Sequence, residues 1–469
     1  MRLSIVIACS AVLTGCVLGH DPQSPDVAED FEWQVSTDAT DAAVDQWWTG
    51  FADRQLDQLV QKALANNRDL RQAQWRVAEA RAAAASANGA RLPTLALDAR
   101  YTRFEQSIES PQAAGPLIEA GIVPRDGEFY TTSLLASWEL DIFGRLRRQA
   151  QASRSRALAA TAGADATALQ VIAETVSAYN DWTSFALRKQ VAEQNVALQT
   201  KTLDIVRGKV RVGLARRVDE VRALANLEQL AAQVPLLEAE RTAAARRLSV
   251  LLGELPGVTR LRLPENVMSV PSAITVGLPA AMLRRRPDVQ VAEFELAAAS
   301  ATTSAAVAAF FPTLALNASG GFEAERTSDL ASGPARVVGI VPFVRWPVFQ
   351  GGRLRAQLNA AKAREKQALA RYEQAVLLAI ADTETAIAGY AAARASVMHV
   401  LRAQGAAAEA ELLARRLYDE GLTDFLTLLD AQRQLAQTDD NLIATRASLV
   451  LAATRLYKSL GGSWTQSEQ

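Results

Sequence analysis

Residues 93–97 read PTLAL, and residues 312–316 read PTLAL again, 219 positions further on. The same offset lays "NNRDLRQAQWRVAEA" (66–80) over "RRPDVQVAEFELAAA" (285–299), matching Asp69 with Asp288 and Ala73 with Ala292. Beyond the pentapeptide the offset becomes 208 and holds: Trp138 falls on Trp346, "FGRLR" on "GGRLR", Gly213 on Gly421 and Leu214 on Leu422. The 11-residue difference lies between 98 and 137, in the Pro- and Gly-rich "ESPQAAGPLIEAGIVPRDGE". Two homologous halves result, about 55–265 and 275–465, joined through "LPENVMSVPSAITVGLP". Whatever one half folds into, the other must fold into as well.

Each half has the same internal order. A helical stretch comes first, at 55–89 and 279–309. A strand opened by proline follows, about 93–104 and 312–323. In the first copy Leu95, Leu97, Ala99 and Tyr101 alternate with Ala96, Asp98, Arg100 and Thr102; in the second Leu314, Leu316 and Ala318 alternate with Ala315, Asn317 and Ser319. A period of two gives a sheet with one apolar and one polar face. A second strand is expected at about 129–141, and a counterpart, less regular in its alternation and containing Pro342, at about 336–347. Long proline-free helical runs come next, about 144–206 and 352–419. Each breaks at one glycine, Gly213 or Gly421, and returns as a second long helix, about 214–253 and 424–460. At 1.5 Å per residue the longest is on the order of 100 Å.

Four strands of roughly ten residues have the length of tilted membrane-spanning strands. Four cannot close, and lipid tolerates no open sheet edge. Two chains would supply eight strands around a filled lumen, and three would supply twelve with room for a channel. Aromatic residues near the strand ends, among them Tyr101, Phe129, Trp138 and Trp346, suit interfacial girdles. The repeat then has a purpose, since each half contributes one strand pair and one helical hairpin to a closed tube.

The N-terminus opens with Met1-Arg2, a short apolar core at 3–12 and "LTGC" at 13–16. The core is too short to span a bilayer and reads as a signal peptide over 1–15. "LTGC" resembles the bacterial lipobox, which implies cleavage before Cys16, its modification with diacylglycerol, and acylation (palmitate) of the new N-terminus. Residues 16–54 would then be a lipid-anchored segment, and Val17 in place of Asp favours sorting to the outer membrane. With Cys9 removed and Cys16 lipidated, no thiol remains for a disulfide, metal or nucleophile, and the chain holds only two histidines, His20 and His399. No apolar run of 18 follows the signal. The 50 basic residues against 51 acidic ones give no sign of nucleic-acid binding.

"WWTGFADRQLDQLVQKALANNRDLR", "RLPTLAL", "SWELDIFGRLR", "RRRPDVQVAEFELAAASA", "FFPTLAL" and "GLTDFLTLLDAQRQL" occur in that order. They resemble the TolC family of outer-membrane efflux channels, in its lipoprotein branch, the OprM/NodT group. The resemblance implies an α+β membrane protein whose homotrimer forms a twelve-stranded transmembrane β-barrel, continued by a twelve-helix periplasmic α-barrel. It implies a passive duct in a tripartite pump with a periplasmic adaptor (membrane fusion protein) and an inner-membrane transporter of the resistance–nodulation–division type. No cofactor, metal or catalytic residue is expected. By the same resemblance Leu426 and Asp430 match rings that narrow the periplasmic tip. Asp219 and Tyr418 match positions that tie the two hairpins together, although Arg415 stands where some relatives carry an acidic partner. Two alternatives stay open: a lipid-anchored periplasmic coiled-coil scaffold without a pore, and an export duct for type I secretion. An envelope enzyme is disfavoured, because no His/Cys cluster or Gly-rich phosphate loop is present.

Overall fold

The computed structural model describes residues 46–109, 115–271, 274–276 and 279–462. The signal peptide over 1–15, the lipidation expected at Cys16 and most of the anchored segment lie outside the described residues. The fold divides into two compact units, one holding 78–158 and 294–370, the other 46–77, 159–293 and 371–462. Each unit takes its segments from both halves of the sequence.

The first unit contains one antiparallel four-stranded sheet in the order β1 (Thr94–Glu105), β2 (Asp126–Leu140), β3 (Thr313–Ala324), β4 (Arg336–Arg345). Directly opposed residues share a face, so the register sorts the side chains. Leu97 pairs with Leu134, Trp138 with Leu316, Leu314 with Val344 and Ala318 with Ile340, giving one continuous apolar face. On the other face Asp98 pairs with Ser133, Thr131 with Glu323 and Ser137 with Asn317. Leu95, Leu97, Leu134, Ile340 and Val344 are all exposed on the apolar side. An apolar sheet face of this size is untenable in water and suited to lipid. The outer edges of β1 and β4 carry no partner strand within the sheet.

Pro342 lies inside β4, opposite Leu316. β4 nevertheless runs unbroken from Arg336 to Arg345, so the strand expected there forms with the proline inside it. β3 requires glycine at 321, where a Cβ would lie 2.0 Å from the Thr132 carbonyl oxygen and 2.6 Å from Ser133 Cα. A short helix, α3 (Gly115–Glu119), sits between β1 and β2.

The helices are α1 (Arg54–Asn66), α2 (Arg68–Gly89), α4 (Arg145–Arg211), α5 (Arg217–Ala231), α6 (Gln233–Leu251), α7 (Pro279–Arg285), α8 (Pro287–Ala308), α9 (Arg353–Asp419) and α10 (Phe425–Ser459). Two expectations require correction. The helical stretches at 55–89 and 279–309 are each broken once, at Asn67 and Arg286, positions that correspond through the 219-residue offset. Asn67 Oδ1 accepts from the N–H groups of Asp69 and Leu70 and so starts a new helix, while Arg286 precedes Pro287, which disfavours the helical conformation before it. The helix expected over 214–253 is likewise two, interrupted at Ala232. Pro235 cannot donate to the carbonyl four residues back, so it sits in the first turn of α6, where that N–H has no helical partner.

In the second unit an aromatic-rich core gathers around the 3-10 turn Trp47–Phe51: Trp47 stacks on Tyr457 with centroids 5.2 Å apart, and Tyr179 on Trp182 at 6.1 Å. Asp53 caps α1, accepting from Gln55 and Leu56 N–H at 2.8 and 3.1 Å, and also accepts from Tyr179 Oη at 2.9 Å. Burial and the Asp53 charge push the Tyr179 phenol well above its ordinary range. Arg286 is a buried knot: Nη1 donates to the carbonyls of Ala379 and Ser459 at 3.2 and 3.1 Å, and Nη2 to Asp288 at 2.6 Å. It joins the start of α8, the middle of α9 and the end of α10.

Candidate periplasmic gate at the hairpin tips

The tips of the two hairpins belong to the second unit. Gly213 ends α4 with φ of 77° and Gly421 ends α9 with φ of 75°. In each the next N–H reaches back five residues at 2.8 Å, Leu214 to the Lys209 carbonyl and Leu422 to the Leu417 carbonyl. This is the glycine-terminated helix end, and a side chain at φ near +75° would strain it. Asp424 starts α10, accepting from Thr427 N–H at 3.0 Å. That hydrogen bond, helped by the Thr427 hydroxyl, holds its carboxyl below the usual aspartate range.

Behind the turns, Leu203 and Val206 of α4, Ala223 of α5, Ala414 and Tyr418 of α9, and Phe425, Leu428 and Leu429 of α10 form a buried cluster. Each fully buried large side chain contributes roughly 1.5–3 kcal/mol. Tyr418 and Phe425 rings lie 5.8 Å apart, and Lys209 Nζ sits 4.0 Å above the Tyr418 ring. Lys209 therefore bridges the first hairpin to the second.

The structure brings Asp219 and Tyr418 into the same neighbourhood but joins them by no hydrogen bond. Among the described residues Tyr418 Oη and Asp219 Oδ1 are both buried without a partner, and Asp219 Oδ2 accepts instead from Arg216 N–H at 3.2 Å. Burial pushes the Tyr418 phenol up, and the Asp219 charge adds to the shift. Arg415 turns to Glu411 in its own helix, its Nε donating at 3.0 Å.

Leu426 and Asp430 stand one turn apart on the exposed side of α10, while Leu428 and Leu429 face the cluster. Asp430 has no hydrogen-bonding or ion-pair partner among the described residues. It borders a polar cleft lined by Arg188, Asn195, Asn226, Gln229 and Arg433. Across the cleft α4 and α10 are joined by Arg188 with Asp440, a two-pronged contact at 2.7 and 2.9 Å, and further along the same two helices Asn180 donates to the Ala447 carbonyl at 3.1 Å. Arg433 Nε donates to Asn226 at 2.7 Å and ties α10 to α5. Sequence reasoning missed Lys209, Arg188, Asp440, Asn226 and Arg433. Their partners lie on other helices, up to 252 residues away, and no local spacing announces them. Phe425 was readable, as the first apolar residue after the Thr-Asp pair that opens α10. Among the described residues no group of three or more His, Cys, Asp or Glu side chains could hold a metal.

A sheet with one lipid-facing side, carried by a chain that also forms paired helical hairpins, defines a channel-forming protein of the outer membrane. The comparisons agree. The family model "Outer membrane efflux protein" matches residues 59–254 and 278–462. The toluene efflux pump outer membrane protein TtgF of Pseudomonas putida is 31% identical over 477 residues, covering 98% of this chain and 96% of that one. The cation efflux system protein CusC of Escherichia coli is 29% identical, covering 97% of each. Among solved structures, the outer-membrane channel OprN superposes with a TM-score of 0.85 at 34% identity, covering 96% of this chain and all of that one. The open state of the MtrE channel of Neisseria gonorrhoeae gives 0.85 at 26% identity, over 95% and 98%. The chain belongs to the outer membrane efflux protein family. Members of that family are channels, not enzymes.

Proposed function

We propose that the chain is the passive exit duct of a tripartite efflux pump. Three copies supply twelve strands to a barrel in the outer membrane and twelve helical staves to a periplasmic tube, anchored through lipid on Cys16. The observation that carries the reading is the four-stranded sheet with one apolar face and two unpaired edges. Such a sheet needs lipid on one side and further strands at both ends. Energy comes from the inner-membrane transporter, of the resistance–nodulation–division type, and the periplasmic adaptor couples the two. The relatives are named for cargo as different as toluene and cations. This supports a duct that leaves selection to the pump, and no nucleic acid or cofactor takes part.

At the tip, three copies of Leu426 form an apolar ring and three of Asp430 an anionic one, which favours cations as charged rings do. The hairpins are held by Lys209 on the Tyr418 ring and by the cluster behind it, with Asp219 beside them. Opening moves the second hairpin away from the first, biased by the adaptor. The test replaces Leu426 and Asp430 together by Ala in cells that depend on this duct. Sensitivity to vancomycin should rise at equal protein level, and unchanged sensitivity would remove both residues from the gate.

A further inference from the structure

We infer the register in which β4 of one protomer pairs with β1 of the next. The inference rests on the trimeric closure proposed above and commits to a second copy of this chain as the occupant of both free edges.

The two halves obey the sequence offsets down to single hydrogen bonds. Thr94 pairs with Ser137, and advancing these by 219 and 208 gives Thr313 and Arg345, which also pair. Trp138 Nε1 donates to the Arg91 carbonyl at 3.0 Å, and Trp346 Nε1 donates to the Phe310 carbonyl at 3.1 Å, the positions the same offsets require. Thr94 Oγ1 donates to the Ser137 carbonyl at 3.2 Å, and Thr313 Oγ1 to the Arg345 carbonyl at 3.3 Å. The halves are thus copies in register as well as in sequence.

The β2–β3 pairing is where a first half meets a second half. The seam between protomers is where a second half meets the next first half, so it is the same junction one step around the barrel. There Trp138 pairs with Leu316 and Ala136 with Ala318. Moving β2 forward by 208 and β3 back by 219 sets Trp346 opposite Leu97, Val344 opposite Ala99 and Pro342 opposite Tyr101.

The chemistry of the polar face supports this register independently. It places Arg345 opposite Asp98 and Phe343 opposite Arg100. Arg345 has no carboxylate partner among the described residues and rests 5.8 Å from the ring of Phe343, while Asp98 reaches only Arg100, at 3.9 Å. At the internal junction the corresponding residues are Ser137 and Asn317, and the Ser137 hydroxyl donates to Asn317 at 3.0 Å. A neutral contact inside the chain becomes a charged one between chains. A slip of one residue would turn the apolar face of one strand to the polar side, and a slip of two in one direction would set Arg345 against Arg100.

The test uses the full-length chain in outer membranes, oxidised with copper phenanthroline and run on non-reducing denaturing gels. Ala99→Cys combined with Val344→Cys should give covalent dimers and trimers, several-fold above Ala99→Cys combined with Ile340→Cys, Pro342→Cys or Trp346→Cys. Single-cysteine variants set the background. Stronger cross-linking at 340, 342 or 346 would keep the closed barrel and overturn the register. No cross-linking at any of the four would overturn both. Arg345→Asp should lower the temperature at which the trimer survives on a gel, and adding Asp98→Arg should restore it. No restoration would overturn the Asp98–Arg345 contact.

Discussion

At the scale of single residues, the tip is held by a ring rather than by a hydroxyl. Tyr418 Oη has no partner among the described residues, while its ring meets Lys209 and Phe425. Tyr418→Phe should therefore leave vancomycin exclusion at the parental level. Tyr418→Ala should lose exclusion, because it removes the face under the ammonium, worth about 0.5–2 kcal/mol, and empties part of the cluster. Equal leakage from both variants would return the hydroxyl to the mechanism. Arg286 offers the opposite case, a side chain used through its shape. Its guanidinium donates to two carbonyls and two carboxylates from separate segments, a fork that an ammonium cannot reproduce. Arg286→Ala should cost on the order of 3–5 kcal/mol, as for a broken buried pair, and Arg286→Lys should fail to rescue it. The amount of folded protein in outer-membrane fractions gives the readout, and full rescue by Lys would show that charge alone suffices.

At the scale of elements, the sheet is built to a tolerance set by one glycine of a pair. Gly320 has open space where a Cβ would go, whereas at Gly321 a Cβ collides with the backbone of β2. Gly321→Ala should sharply reduce heat-resistant protein on gels, and Gly320→Ala should leave it near the parental amount. The same element shows what the sequence discloses. The alternation from Leu95 to Tyr101 and from Leu314 to Ala318 named the two faces before any coordinates, because period two follows from the pleat alone. The close approach of Gly321 to Thr132 was not legible, since it depends on a strand almost two hundred residues away. Gly213 and Gly421 announced turns by residue type, and the breaks at Asn67 and Arg286 had signals too, a capping Asn and Pro287 after Arg286, inside stretches whose helical spacing otherwise runs on. The partnerless Tyr418 hydroxyl could not be foreseen, because matching a position to a family does not say where its hydrogen bond goes.

At the scale of the whole molecule, the proposed trimer makes each chain one third of a closed object. Leu377, Leu378, Leu412, Leu413 and Leu417 of α9 are exposed, a run of large apolar side chains with no cover inside the protomer. Protein extracted in mild detergent should sediment at a little under three times 50.4 kDa, residues 1–15 having been removed, plus its acyl chains. A stable monomer would leave that surface and both sheet edges bare, and would count against the tube. The fold class was legible from sequence because the repeat, the strand length and closure all point the same way. The candidate gate rests on resemblance alone, since an Asp and a Leu one turn apart on a helix say nothing by themselves.

The sheet register carries a further consequence, for what the cell shows to the outside. An insertion or deletion within a strand would turn its faces, so change in length is confined to the connections at 106–125 and 325–335. The length difference between the halves falls in the first of these. In the proposed barrel these connections lie at the strand ends away from the long helices, so they would be free to vary without cost to it and would be what an antibody or a phage tail fibre meets. An epitope tag placed there should be displayed on intact cells, and surface variation among strains should collect in the same two places.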